Sequence, residues 1–245
     1  MTSAVQPYAF LARPAPAPRG SVTQHVTAVL REAIVSLELK PGEVIDKGIV
    51  CERLGVSRFP VSEALARLST EGLVDILPQR GSVVSLIRIA DVGEYMLIRK
   101  ALECEAVRAL VANSTPELLE RLRAAMAQQS AAAGSGDRAG FHARDLDFHE
   151  LLVDAMGFAK VKAIIESARA NLDRARQLII TPRRLVHTLS EHQAIYDAIA
   201  AGDADAAEAA MRAHIDAVMS ELVEFAAENP EHFADGDTYQ NFRRQ

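Results

Sequence analysis

The sequence predicts a mainly α protein in two parts: an N-terminal unit of three helices and a β-hairpin, followed by an antiparallel, all-helical bundle. Three observations carry this. Apolar residues recur at helical spacing through most of the 245-residue chain. Only one stretch, within residues 73–87, reads as paired short strands. Beyond it, Pro and Gly break the helical pattern at intervals that leave connections of a few residues, as in a bundle.

In order, residues 22–37 place Val22, Val26, Val29, Leu30, Ala33, Ile34 and Leu37 on one helical face. Pro41 and Gly42 make a turn. Asp46 caps a second helix that runs to Leu54 and stops at Gly55. Ser57 caps a third, Pro60 suits its first turn, Val61, Leu65 and Leu68 form its buried stripe, and Gly72 ends it. The runs 73–77 and 82–87 form a hairpin around Pro78, Gln79, Arg80 and Gly81. Three helices and a hairpin in this order are the plan of a winged helix-turn-helix. The remainder predicts helices at 91–112, 116–133, 138–156, 158–180, 183–200 and 204–227. The domain reading is a flexible Ala/Pro leader at 1–20, the winged unit at 21–88, the bundle at 89–228 and a frayed polar tail at 229–245.

Charge separates the two parts. The net charge is −6, yet residues 21–88 hold eight basic and eight acidic side chains. The acidic excess lies in the bundle, so it does not argue against a basic face on the winged unit. Cys51 and Cys104 lack metal or redox spacing and read as reduced thiols. No apolar run approaches the roughly 18 residues of a membrane span, and residues 1–20 lack the basic start of a signal peptide. The expected location is cytoplasmic.

A helix entering the major groove offers its N-terminal N–H groups and positive dipole end to phosphate. Ser57 and Arg58 sit at that end of the third helix, with Phe59 and Ser62 next and Arg67 further along. Arg58 suits a guanine edge or a phosphate. Arg80 and Gly81 mark the hairpin tip, where a wing meets the DNA backbone, and Lys47 opens the second helix within reach of phosphate. The run LGVSRFPVSEALARLSTEGLV with PQRGSVV resembles the GntR family of bacterial regulators over about residues 22–87. The resemblance implies operator DNA as partner. The family pattern has Thr-Pro-Val-Arg where this chain has Phe59, Pro60, Val61 and Ser62, so a base-reading Arg is replaced by Ser62.

In the bundle, Asp145 and His149 are four residues apart and share a helix face. His192 and His214 lie on two other helices among apolar neighbours. Three imidazoles and one carboxylate suit Zn2+, and imidazole also suits Ni2+. Taken singly, each His reads equally as a hydrogen-bonded structural residue. Asp147 lies about 200° from His149 around the helix and should face away, and His142 lies two turns earlier. The segments YMLIRKALECEAVRAL, RDLDFHELL and SEHQAIYDAIAAGDADAAEAAMRAHI resemble the FCD domain of the FadR branch, from about Asp91 to Phe225. That resemblance implies a divalent transition metal on Asp145, His149, His192 and His214, a small carboxylate or sugar acid completing its coordination, and a homodimer. Arg99 then reads either as a carboxylate clamp or as a surface Arg paired with Glu103. Asn171, Arg174 and Gln193 are further candidates for the pocket wall.

The leading function is therefore a non-enzymatic, effector-responsive DNA-binding regulator, most simply a repressor. The alternatives are a metal-dependent hydrolase with an accessory DNA-binding-like domain, and an architectural DNA binder whose bundle only dimerises. The hydrolase lacks a clearly placed general base and any His-Glu-x-x-His motif.

Overall fold

The structure is a computed structural model that describes Tyr8, Phe10, Leu11, residues 21–167 and residues 169–235; the side chains of residues 21, 163, 166, 167 and 169–171 are outside that description. The chain divides into two compact units. The first holds the N-terminal part to Arg88 together with Asn229–Ala234, and the second holds Ile89–Glu228 with the residues from Asp235 onward.

In the first unit, α1 (Ser21–Val35) is followed by β1 (Val44–Ile45), α2 (Lys47–Leu54), α3 (Arg58–Thr70), β2 (Val74–Leu77) and β3 (Gly81–Val84). Val26, Leu30 and Ile34 of α1 pack with Val50 and Leu54 of α2 and Val61, Leu65 and Leu68 of α3, all inaccessible to solvent. Burying each such side chain contributes about 1.5–3 kcal/mol, so this stripe is the main support of the unit. Arg31 of α1 donates to both carboxylate oxygens of Glu71, beyond the end of α3, at 2.5 and 2.9 Å. Asp46 caps α2 by accepting from the Gly48 and Ile49 N–H groups, and Gly55 closes it at φ 65°. Ser57 takes the cap backbone conformation before α3, but its hydroxyl makes no capping hydrogen bond.

The sheet is antiparallel with strand order β1-β3-β2. The hairpin reading holds, with β3 ending at Val84 rather than at residue 87. The added strand β1 pairs Val44 with Val83 and Ile45 with Ser82. Two residues behind a Pro-Gly turn carry no periodicity, so only pairing with β3 reveals β1 as a strand.

The second unit comprises α4 (Ile89–Asn113), α5 (Pro116–Ser135), α6 (Arg138–Asp154), α7 (Ala159–Ser167), α8 (Arg169–Ile179), α9 (Pro182–Ala201) and α10 (Ala204–Glu228). The expected helix over 158–180 corresponds to α7 and α8, on either side of residue 168, which lies outside the described residues. α10 packs on α4 and α9, and α5 packs on α6 and α9. Thr115 and Thr181 cap α5 and α9, each with Pro in the first turn, and Gly136 and Gly202 end those helices in the left-handed conformation.

Two terminal readings need correction. The tail is not frayed from Asn229: Phe233 is buried, the Ile87 N–H donates to the His232 carbonyl, and the Ala234 N–H returns to the Ile87 carbonyl. Asp235 caps α4, accepting from the Ile89 and Ala90 N–H groups at 2.7 and 3.0 Å. In the leader, Tyr8 and Leu11 are buried, and the Tyr8 hydroxyl donates to the Val44 carbonyl while accepting from the Asp46 N–H. A polar composition hid the first of these anchors, and an Ala/Pro composition the second. Apart from these residues and Phe10, the leader lies outside the described residues.

Candidate DNA interface and metal centre

On α3 the pattern separates a buried face from an exposed one. Pro60, Val61, Ala64, Leu65 and Leu68 are buried, while Ser57, Arg58, Phe59, Ser62 and Arg67 face solvent, Phe59 at 74% exposure. An exposed aromatic beside an exposed Arg at a helix N-terminus suits apolar contact with a thymine methyl and pairing with a base edge or phosphate. Arg67 lies 3.3 Å from Glu63, which partly offsets its charge. Lys47 is half-buried in the first turn of α2. Arg80 and Gly81 are exposed at the hairpin tip, where Gln79 and Gly81 have φ of 63° and 84°. No other group lies within 4 Å of where a Gly81 side chain would start, so its glycine answers the backbone angle rather than crowding.

In the bundle, α6 supplies Asp145 and His149, α9 supplies His192 and α10 supplies His214. All four side chains are buried, and ring nitrogens of the three imidazoles lie within 4.8 Å of one another. The Nδ1 atom of each ring meets an acceptor. His149 Nδ1 is 2.7 Å from Glu103 Oε2, His192 Nδ1 is 2.9 Å from Gln129 Oε1, and His214 Nδ1 is 2.7 Å from Glu191 Oε2. The Gln129 amide has a single sense, because its nitrogen donates to Asp145 Oδ1 at 3.3 Å. For His192 and His214 the Nδ1 contact is a hydrogen bond and leaves Nε2 to face inward, whereas the close approach of His149 Nδ1 to Glu103 falls outside hydrogen-bond geometry.

The inward atoms converge. His149 Nε2 and His214 Nε2 are 3.2 Å apart, His192 Nε2 is 3.5 Å from Asp145 Oδ1, and His149 Nε2 is 4.0 Å from Asp145 Oδ2. Zn–N bonds of about 2.0–2.1 Å in a tetrahedron set ligand atoms about 3.3 Å apart, so the spacing fits a first-row transition metal. His192 Nε2 is buried with no hydrogen-bond partner among the described residues, as a metal ligand would be.

Three acids around the centre face an Arg. Asp145 Oδ2 is 2.7 Å from Arg176, Glu103 takes a bidentate pair from Arg99 at 2.5 and 3.1 Å, and Glu191 takes one from Arg184 at 3.0 and 2.7 Å. Burial would push the Asp145 carboxyl up, but the Arg176 guanidinium holds it well below the usual carboxylate range. Burial also opposes ionisation of Glu103, and Arg99 and His149 outweigh it and lower its pKa. Burial, followed by neighbouring imidazoles, drives His192 and His214 well below the usual histidine value, which keeps them neutral and available as ligands.

Beside the centre is a partly open cavity lined by Arg99, Glu103, His149, Arg176 and Tyr95 among others. A second lies against Asp145, Arg176, His142 and Thr188. Arg99 thus meets both of its expectations in part: it is paired with Glu103, yet it is buried at the cavity and not on the surface. Two expectations fail. Gln193 is exposed and donates to Asp197 one turn on, away from the cavity. Arg174 is fully buried but lines neither cavity. Arg176 takes the place expected of it, because it lies one turn from the cavity residue Leu172 whereas Arg174 does not. The Asn171 side chain lies outside the described residues. Asp147 pairs with Arg144 at 2.7 Å, away from the centre, and His142 faces Asp173 at 3.4 Å.

Sequence reasoning missed Gln129, Glu191, Arg176 and Arg184. Gln129 and Glu191 lie in mid-helix and gave no signal of their own; the meeting of α5 with α9 gives Gln129 its role, and that of α9 with α10 gives Glu191 its own.

A winged helix-turn-helix in one chain with a helical bundle that buries a polar cluster beside a cavity defines a DNA-binding transcription regulator with a sensing domain. The chain belongs to the GntR family of bacterial regulatory proteins, which matches residues 22–84, and carries the FCD domain, which matches residues 94–217. It is 34% identical over 209 residues to an uncharacterized HTH-type transcriptional regulator in an unstable DNA locus of Streptomyces ambofaciens, covering 84% of this chain and 86% of that one. It is 31% identical over 221 residues to the HTH-type transcriptional repressor RspR of Escherichia coli K12, covering 89% and 96%. Its fold is similar to that of a putative transcriptional regulator GntR from Rhodococcus sp. RHA1, at 26% identity and TM-score 0.71, covering 83% and 98%. The family and these relatives are regulators, which sets aside the hydrolase alternative. No helix among the described residues is long and apolar enough to cross a membrane.

Proposed function

We propose that this protein is a homodimeric, cytoplasmic repressor whose FCD domain holds a divalent transition metal, Zn2+ or Ni2+, and binds a small organic acid that alters operator affinity. One observation carries the reading: three buried imidazoles converge, with the Nε2 atoms of His149 and His214 3.2 Å apart and that of His192 3.5 Å from Asp145 Oδ1. The ligands would be His149, His192, His214 and Asp145. A bound metal would supply a Lewis-acidic site for a carboxylate oxygen.

The charge balance supports an anionic effector. Asp145, Glu103 and Glu191 are each matched by an Arg, so a divalent ion adds positive charge in a poorly solvated site. A carboxylate offsets it, and the adjoining cavity gives that carboxylate a place. The repressor sense follows the E. coli relative. On the DNA side, Arg58, Phe59 and Ser62 would read base edges, while Lys47, Ser57, Arg67, Arg80 and Gly81 would meet the backbone. A dimer would set two reading heads on a near-palindromic site.

The test joins metal analysis of the purified protein with a thermal-shift screen of small carboxylates, with and without chelator. Bound metal near one equivalent per chain and a chelator-sensitive stabilisation are expected. Protein that carries no metal after supplementation, or acids that stabilise it equally after chelation, would overturn the metal's role.

A further inference from the structure

Strand β1 is two residues long and lies at the edge of the sheet, in the order β1-β3-β2. An edge strand leaves a row of backbone N–H and C=O groups with no strand to pair with. Here one side chain takes two such groups. The Tyr8 hydroxyl donates to the Val44 carbonyl at 3.2 Å and accepts from the Asp46 N–H at 3.1 Å, so it spans Ile45 and the end of the strand. Tyr8 and Leu11 are buried, and the Tyr8 ring stands edge-on to Phe10 with centroids 5.8 Å apart. The Leu11 N–H returns to the Tyr8 carbonyl, and Tyr8 itself has φ 56°. A bulky residue keeps that left-handed angle only where its surroundings hold it there.

The contact falls on the residue that starts α2. The Asp46 N–H is held by Tyr8, and the Asp46 carboxylate accepts from the Gly48 and Ile49 N–H groups, so the turn from β1 into α2 is fixed on both sides. Lys47 is the next residue and the first of the helix. A Lys side chain is long and flexible, and it binds phosphate better from a fixed backbone, because less freedom is lost on contact. We propose that Tyr8 is a positioning residue for DNA binding: its hydroxyl sets the start of α2 so that Lys47 is presented to a phosphate. This rests on the reading of Lys47 as a backbone contact and extends it to a residue far outside the helices that meet DNA.

The experiment measures the affinity of full-length protein for a duplex selected from a random-sequence pool by the unsubstituted protein, over a series of salt concentrations. Lys47→Ala should weaken binding at least fivefold and lower the salt exponent by about 0.9, the share of one phosphate contact. Tyr8→Phe keeps the ring and removes only the hydroxyl; it should weaken binding at least threefold and lower the salt exponent in the same direction. The double variant should bind within twofold of Lys47→Ala, because the hydroxyl then has no Lys left to position. Tyr8→Phe that binds as tightly as the unsubstituted protein, or two effects that multiply in the double variant, overturns the inference while the reading of Lys47 stands. A lower thermal midpoint in Tyr8→Phe with an unchanged salt exponent also overturns it, since the hydroxyl would then only support the fold. Unchanged affinity and salt exponent in Lys47→Ala overturn both.

Discussion

At the residue scale, the two ends of the chain put opposite demands on Arg. Arg58 is exposed at the start of α3, whereas Arg99, Arg176 and Arg184 are buried against carboxylates. Arg58→Ala should abolish specific operator binding, a loss of at least tenfold in a footprint titration, while metal content stays unchanged; unchanged operator affinity removes Arg58 from the interface. His192→Ala should lower metal content and acid affinity together, and full metal occupancy in that variant would exclude His192 as a ligand. Gln129 tests the outer layer. Gln129→Met keeps the volume but loses the acceptor for His192 and the donor to Asp145. Partners of this kind are worth about 10–100-fold in metal affinity. A competition titration against a fluorescent chelator reads the change, and an unchanged affinity would leave Gln129 a packing residue only.

At the element scale, the structure depends on its ends. Helix α4 carries Arg99 and Glu103, and its first N–H groups rest on Asp235, 146 positions away in sequence from Ile89. Asp235→Ala should cost about 1 kcal/mol of stability, as loss of a helix cap does. The thermal midpoint checks this; a midpoint that does not fall shows that solvent satisfies those N–H groups equally well. α10, which carries His214, leads directly into the segment that contains buried Phe233. α3, by contrast, was readable in advance, since Pro60, the Val61, Leu65 and Leu68 stripe and Gly72 are local signals for its start, face and stop.

For the whole molecule, the winged unit and the FCD bundle are separate compact units joined in one chain. Coupling between two such sites is usually about 1–3 kcal/mol, or 5–150-fold in affinity. A saturating carboxylate that stabilises the metal-loaded protein in the thermal-shift screen should therefore change operator affinity within that range in a gel-shift titration. The same acid should leave the His192→Ala variant unaffected. An equal response in that variant would place the coupling elsewhere.

The sequence by itself determined the fold class, the helix punctuation, the exposed face of α3 and the four side chains that meet at the proposed metal centre. These follow from periodicity, caps and a family resemblance, all of which act over a few residues or along the chain order. Tertiary structure alone decided what completes them. Gln129 on α5, Glu191 on α9 and Arg176 on α8 gain their roles only when their helices meet, and Glu103 becomes the partner of His149 for the same reason. Arg174 and Gln193 lose their expected roles because the packed helices turn them away from the cavity. Strand β1, Tyr8 and Phe233 belong to the same class: each makes contacts across tens or hundreds of residues. Short-range pattern fixes which face of an element is apolar, but only packing determines which polar side chain on that element meets a charge.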